Sequence, residues 1–245
     1  MIGERTRLWP AVWAAVAYIA IMAVGMFTAG HVFGISYFDE RIVYVLVFFE
    51  AVMGLFALVM ARRIFGHWHC GLRPVDWRGL AWMVPSFAVM AALVVALFAT
   101  GTVAVSGLAL VIIVTMCLVG FSEELMFRGI VLKGALGELS TGKAILLSAA
   151  LFSSLHAVNV LAFVPLDGMA MQLGLTFIFG LAMACFALRV NSLVPPIIFH
   201  ALWDMVQFLG GIWQADFGQL ILIGIIVNTV MGAGLWWFVV GKWKG

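Results

Sequence analysis

The stretch Phe121-Ser-Glu-Glu-Leu-Met-Phe-Arg-Gly129 places two adjacent carboxylates and an arginine at the end of a long apolar run. An ionisable side chain at the centre of a spanning helix costs roughly 2.5 to 3.5 kcal/mol on insertion scales, so it is a functional candidate that needs partners. Glu124 and Arg128 stand four residues apart on one helix face, where carboxylate and guanidinium can meet. Glu123 lies about 100° around the helix and is left for another group. The alternative is an interfacial charge cluster that ends a helix.

The composition identifies the class of protein. Of the 245 residues, 65% are hydrophobic and only 10% are charged, and the mean hydropathy is +1.18. Soluble globular domains are far less apolar, and several runs here are long enough to cross a bilayer as helices. The alternating pattern of a membrane β-barrel strand does not occur. We therefore expect an all-α polytopic membrane protein.

The apolar runs predict about eight transmembrane helices in a single membrane domain, residues 1–245. The predicted spans are residues 8–29, 42–61, 80–99, 106–128, 144–164, 169–188, 195–214 and 217–240. The region between the fourth and fifth spans, residues 129–143, is predicted to be an interfacial amphipathic segment and turn.

The placement of basic residues predicts the orientation in the membrane. With eight spans, twelve of the thirteen Lys and Arg residues fall on the side that holds both termini, and Arg41 alone falls on the other side. Because cytoplasmic loops are enriched in Lys and Arg, both termini are expected in the cytoplasm. On this topology we expect the Glu123 stretch near the cytoplasmic side, with the active site toward that side.

Two downstream apolar segments supply partners for the glutamates. One contains His156, and the other contains His200 and Asp204 in an i, i+4 relation. At about 1.5 Å per residue, both histidines lie at depths that Glu123 can reach. A carboxylate beside a histidine can activate water as a nucleophile, and a second imidazole can donate a hydrogen bond to an oxyanion. The combination suggests hydrolysis of an acyl group.

Two further features have less definite meanings. Glu50 interrupts the second apolar run, where it could be protonated, paired or functional. The cluster His67-Trp68-His69-Cys70 contains possible zinc ligands, but no second ligand pair follows at zinc-site spacing.

Three ordered motifs resemble those of the CAAX protease and bacteriocin-processing (CPBP, or abortive-infection) intramembrane proteases. The motifs are Glu123-Glu124-xxx-Arg128, Phe152-xxx-His156 and His200-xxx-Asp204. Supporting similarity includes Phe179-Gly180-Leu181 and Ser192-Leu193-xx-Pro196. The resemblance covers about residues 105–207, which it identifies as a CPBP-like catalytic core of helices 4–7, and it extends to the type II CAAX prenyl endopeptidases.

The resemblance implies roles for the site residues. Glu123 with His156 would activate the attacking water, Glu124 and Arg128 would support the site, and His200 with residue 204 would stabilise the oxyanion. The family often has asparagine where this chain has Asp204, and an ionised carboxylate would repel an oxyanion. Asp204 is therefore either protonated or acts through His200.

The resemblance also implies a substrate and raises the question of a metal. The expected substrate is a membrane-associated peptide or protein, with a prenylated CAAX protein as one candidate, and no nucleic acid is expected to bind. Family members are often called metalloproteases, and Glu123, His156 and His200 could supply three zinc ligands; a metal-free glutamate mechanism is favoured. The lack of extramembrane domains resembles prokaryotic members and suggests the prokaryotic cell (inner) membrane. The alternatives are a non-enzymatic peptide-binding or bacteriocin-immunity protein and a proton-coupled transporter.

Overall fold

The computed structural model describes residues 7–67 and 70–242 of the chain. Trp68 and His69 of the possible zinc cluster, and Arg5 and Lys244 of the charge count, lie outside these ranges. The described residues form helices and connecting loops, with no β-strand among them.

Eight long α-helices, here numbered α1 to α8, make up the bundle. They are α1 (Leu8–Phe27), α2 (Val43–Phe65), α3 (Val84–Thr100), α4 (Gly107–Glu124), α5 (Thr141–His156), α6 (Leu166–Val190), α7 (Val194–Trp213) and α8 (Leu220–Lys242). Short helical turns extend several of them, including a 3₁₀ segment after α5, Ala157–Ala162. The eight helices correspond to the eight predicted spans.

Seven of the helical segments in the described ranges are long and apolar enough to cross a membrane. The prediction of an all-α polytopic membrane protein is therefore confirmed. The helix outside that set is α7, whose sequence includes His200 and Asp204. The residue before it, Leu193, is held at one end of the bundle, where the Leu193 amide donates to the Gly71 carbonyl at 2.8 Å. The last residue of α7 is held at the other end, where the Thr102 amide donates to the Trp213 carbonyl at 2.7 Å.

The helix that carries the two glutamates does not end where we predicted. It continues past Arg128 as a π-helical segment, Leu125–Leu132, and a last turn, Lys133–Leu136. Every residue of the π-helical segment is buried, so the prediction of an interfacial segment is wrong for residues 129–132, and the alternative of an interfacial charge cluster is wrong as well. Residues 137–143 are exposed or half-buried. The π-helical segment is buried because it is mostly apolar and packs against α1, α2 and α5 instead of lying at the surface. Such π-helical insertions are frequent at functional sites.

Glycines allow the helices around the glutamates to approach closely. A Cβ added at Gly120 of α4 would lie 2.7 Å from the backbone nitrogen of Ala201 in α7. A Cβ at Gly180 of α6 would lie 3.1 Å from Cα of Ala149 in α5. Small residues at such crossings are typical of membrane helix pairs, and here they bring α4, α5, α6 and α7 together around one site.

Candidate active site

Glu124 is held by two donors. Its Oε1 accepts a hydrogen bond from Nη1 of Arg128 at 2.8 Å and one from Nδ1 of His200 at 2.9 Å. The side chains of Glu124 and Arg128 are both fully buried. Arg128 also donates to the Gly180 carbonyl at 3.3 Å, and its guanidinium carbon lies 4.3 Å from the centre of the Phe152 ring. The predicted i, i+4 pair is present, and it connects α4 with α6 and α7.

Glu123 accepts no hydrogen bond among the described contacts, whereas in Glu124 Oε1 is paired and Oε2 is without a partner. The residue is only 5% exposed, and its Oε2 has no hydrogen-bond partner among the described residues. The nearest basic group is Nε2 of His200, at 3.8 Å from Oε2. A buried carboxylate oxygen without a partner is costly unless a water or a substrate group supplies one. Glu123 is thus placed to bind a small polar group.

His200 joins the carboxylates of two helices. Its Nδ1 faces Glu124, and its Nε2 lies 3.3 Å from Oδ2 of Asp204, one turn further along α7. The ring packs against Phe179 and Phe152, with centroid distances of 5.1 and 5.8 Å. Because Oε1 of Glu124 is an acceptor that also receives the Arg128 hydrogen bond, Nδ1 is the donor of that bond. The imidazole orientation is therefore fixed, and Nε2 points toward Glu123 and Asp204.

His156 is the last residue of α5 and is oriented by its own helix. Its Nδ1 lies 3.1 Å from the Phe152 carbonyl, to which it must donate because a carbonyl has no hydrogen to give. In the neutral ring this bond leaves Nε2 as an acceptor. Among the described contacts none joins His156 directly to Glu123, although both side chains line the same cavity. Their joint action on one water stays a prediction.

The proposed zinc ligands do not form a metal centre in this arrangement. Within the described ranges, no three His, Cys, Asp or Glu side chains are placed so that they could hold a metal ion. In each histidine Nδ1 has a partner, Glu124 for His200 and the Phe152 carbonyl for His156, and a hydrogen bond of this kind leaves Nε2 able to bind a ligand.

Glu123 and His200 line a cavity of about 540 Å³. Its walls are mainly apolar, but Glu50, His156 and Asp204 also line it. On one side it is bordered by Met171, Leu175 and Ile178 of α6, which are 67%, 40% and 38% exposed. Exposed apolar side chains of a membrane-spanning helix can face lipid, so this border is a candidate opening of the cavity toward the bilayer. An apolar cavity lined by a few polar groups suits a peptide with hydrophobic side chains.

Sequence reasoning missed a hydrogen-bond chain beside the glutamates. The Tyr18 hydroxyl donates to Oγ of Ser122 at 2.8 Å, and the Ser122 hydroxyl donates to Oε2 of Glu50 at 2.6 Å. Glu50, for which the sequence left several roles open, is 1% exposed and is an interhelical hydrogen-bond acceptor. Its partners could not be identified because single hydroxyls in apolar runs are common.

Further polar residues in the cavity wall were also missed. Asn159 donates to Gln172 at 3.3 Å, and Gln172 donates to the Tyr37 hydroxyl at 3.2 Å. Tyr37 lies in the loop after α1, and burial raises its pKa to about 12, so the phenol stays neutral. In α8, Asn228 is 4% exposed and its Oδ1 has no partner in the described part of the chain. Isolated amides within apolar helices are the signal that could have identified Asn159 and Asn228.

Comparison with protein families gives one match. Residues 105–206 match the family described as type II CAAX prenyl endopeptidase Rce1-like. The match begins just before α4 and ends in α7, so it contains Glu123, Glu124, Arg128, His156, His200 and Asp204. No curated protein and no solved structure matches the chain. The resemblance to CPBP proteins is confirmed over these residues.

Proposed function

Because residues 105–206 are Rce1-like and enclose the buried carboxylate of Glu123, we propose that the protein is an intramembrane endopeptidase. Its substrate is a peptide bond in a membrane-associated protein or peptide. The proposal rests on one observation: Glu123 lines an apolar cavity, and its buried Oε2 has no partner among the described residues and lies 3.8 Å from Nε2 of His200. A buried carboxylate next to an oriented imidazole is the arrangement that general-base hydrolysis requires.

In the proposed reaction Glu123 is the general base. It removes a proton from a water molecule, and the water oxygen attacks the carbonyl carbon of the scissile peptide bond. His156 orients the same water through Nε2, which accepts the second water hydrogen. The carbonyl oxygen becomes an oxyanion, the C–N bond then breaks, and the proton held by Glu123 passes to the leaving amine.

His200 is the group that we assign to the oxyanion. When Nε2 is protonated it can donate a hydrogen bond to the developing negative charge, and Glu124 and Asp204 stabilise the positive imidazole. Asp204 then acts through His200 and does not touch the oxyanion itself. Glu124 and Arg128 are positioning residues, since they hold the ring from the buried side.

The test is cleavage of a quenched-fluorescence peptide library by the purified protein in lipid. The Glu123→Gln variant keeps the size of the side chain but cannot accept the proton, so kcat should fall roughly 10²- to 10⁴-fold. A thermal midpoint close to that of the wild type shows that the variant is folded. A strong chelator, added to the wild type, tests for zinc in the same assay.

The results separate the alternatives. Full activity of Glu123→Gln would contradict the proposed base, and loss of activity with chelator would place a metal in the site. If neither protein cleaves but both bind peptides, the non-enzymatic peptide-binding or immunity function would replace this proposal.

A further inference from the structure

The helical bundle has two ends with different charge. Loop contacts define them: the Arg7 amide donates to Glu138 at one end, and the Tyr37 amide donates to the Ala162 carbonyl at the other. We call the first the basic end, comprising residues 7–8, 62–67, 70–80, 133–143 and 189–194. We call the second the acidic end, comprising residues 28–42, 100–106, 157–168 and 213–220.

The charges of the two ends are opposite in sign. The basic end contains Arg7, Arg62, Arg63, Arg73, Arg78, Lys133, Lys143 and Arg189, against only Asp76 and Glu138. The acidic end contains Asp39, Glu40, Asp167 and Asp216, and its one basic residue is Arg41. Arg41 is itself paired with Asp39 at 2.6 Å. By the positive-inside rule the basic end lies in the cytoplasm.

The cavity extends toward the acidic end. Its lining includes residues of that end: Tyr37, Phe38, Asn159, Val164 and Gly168. None of the described residues that line it belongs to the basic end.

Between Glu123 and the basic end the interior of the bundle is tightly packed. The buried side chains there include those of Arg128, Phe127, Phe186 and Phe199. In the same region Gly232 of α8 lies so close to α6 that an added Cβ would be 2.8 Å from Cα of Ala182. A path from the basic end to Glu123 would have to pass through this packed region.

We infer that the active site opens to the extracytoplasmic side of the membrane and to the adjoining lipid, and not to the cytoplasm. The inference rests on the proposed function for its substrate, and it replaces the expectation of a cytoplasmic opening. The substrate class follows from the access route. It is the extracytoplasmic part of a membrane protein, or an apolar peptide that has already been exported, and it enters between Met171 of α6 and Ile221 of α8, which both line the cavity. A prenylated carboxyl terminus displayed in the cytoplasm would be on the wrong side.

Single-cysteine labelling tests the direction of opening without any need for catalysis. The background is Cys117→Ala, because Cys117 is exposed whereas Cys70 and Cys185 are buried. Phe38→Cys and Gln207→Cys place thiols at two separate exposed positions of the cavity wall, and Lys143→Cys is the matched control at the basic end. Intact cells are treated with a membrane-impermeant maleimide. The two cavity positions should react, and position 143 should react only after the membrane is permeabilised.

The opposite labelling pattern would overturn the inference: reaction at position 143 in intact cells, with both cavity positions protected until permeabilisation. A second assay adds an impermeant peptide substrate to proteoliposomes whose protein orientation is known from the Lys143→Cys label. Cleavage should come from molecules with the acidic end outward, and cleavage by the other population would also contradict the inference. Labelling as expected with no cleavage would instead count against the proposed protease function alone.

Discussion

At the scale of single residues, the site is built around one carboxylate that is held by donors and one that lines the cavity. Oε1 of Glu124 receives hydrogen bonds from Arg128 and His200, whereas Glu123 borders the cavity and its Oε2 has no partner in the described part of the chain. Adjacent positions on a helix face different directions, so one glutamate can serve the framework and the other the cavity. Burial makes the difference matter, because an unpaired charge is expensive away from water.

The first residue-scale prediction concerns the Glu124–Arg128 pair. Glu124→Leu leaves the guanidinium buried without its counter-charge and should lower the free energy of unfolding by about 3 to 5 kcal/mol. The double variant Glu124→Leu/Arg128→Met replaces both charges by apolar groups and should recover much of that loss, while activity stays low because His200 is no longer held. Unfolding midpoints in detergent measure both effects.

The control for this experiment is Arg41→Ala. It breaks a pair in which the arginine side chain is 64% exposed, and the midpoint should barely move. A double variant no more stable than Glu124→Leu would show that the two charges are not coupled.

The residue-scale features were predictable from sequence only within one helix. The Glu124–Arg128 and His200–Asp204 contacts follow from their i, i+4 spacing, because helix geometry fixes the distance. The hydrogen bond between Glu124 and His200 joins α4 to α7, and no local spacing determines how two helices are aligned. The same limit applies to Ser122 and Glu50, whose contact joins α4 to α2.

At the scale of helices, the α4–α7 crossing determines whether the site is assembled. Glu123 and Glu124 lie on α4 and His200 on α7, so their distances depend on how closely the two helices pack. The eight apolar runs predicted where helices form, because length and hydropathy are local properties. They could not predict the π-helical continuation of α4, since it depends on what buries residues 125–132.

A glycine substitution at this crossing tests its importance. In Gly120→Ala the new Cβ would lie 2.7 Å from the Ala201 nitrogen and 2.9 Å from the Ile197 oxygen, both backbone atoms that cannot rotate away. The helices must separate, which should cost about 1 to 3 kcal/mol in unfolding free energy. Misplacing catalytic groups by about 1 Å can reduce the rate about 10²-fold, so we expect a loss of that order in peptide cleavage.

The matched control for the crossing is Gly174→Ala in α6. Nothing lies within 4 Å of a Cβ added there, and activity and stability should be retained. Equal behaviour of the two variants would mean that the α4–α7 distance does not limit the site.

At the scale of the whole molecule, the cavity that contains the site lies toward one end of the bundle. The basic end has an apolar groove lined by Val75, Trp77 and Val194, but none of the site residues lines that groove, and the cavity of Glu123 lies toward the acidic end. The charge asymmetry was readable from the sequence, but the position of the cavity was not, because a cavity is what remains when all eight helices have packed.

Two neighbouring isoleucines of α8 offer a test of cavity occupancy. Ile225 lines the cavity, whereas Ile226 is 52% exposed and does not. A ligand present at about 100 times its dissociation constant stabilises the folded state by about 2.7 kcal/mol. An apolar peptide should therefore raise the unfolding midpoint of the inactive Glu123→Gln protein. Adding Ile225→Trp fills the cavity and should abolish that rise, while Ile226→Trp should leave it unchanged, since its indole would point into lipid. A peptide-induced rise that survives Ile225→Trp but disappears with Ile226→Trp would place the peptide on the outer surface of α8 and not in the cavity.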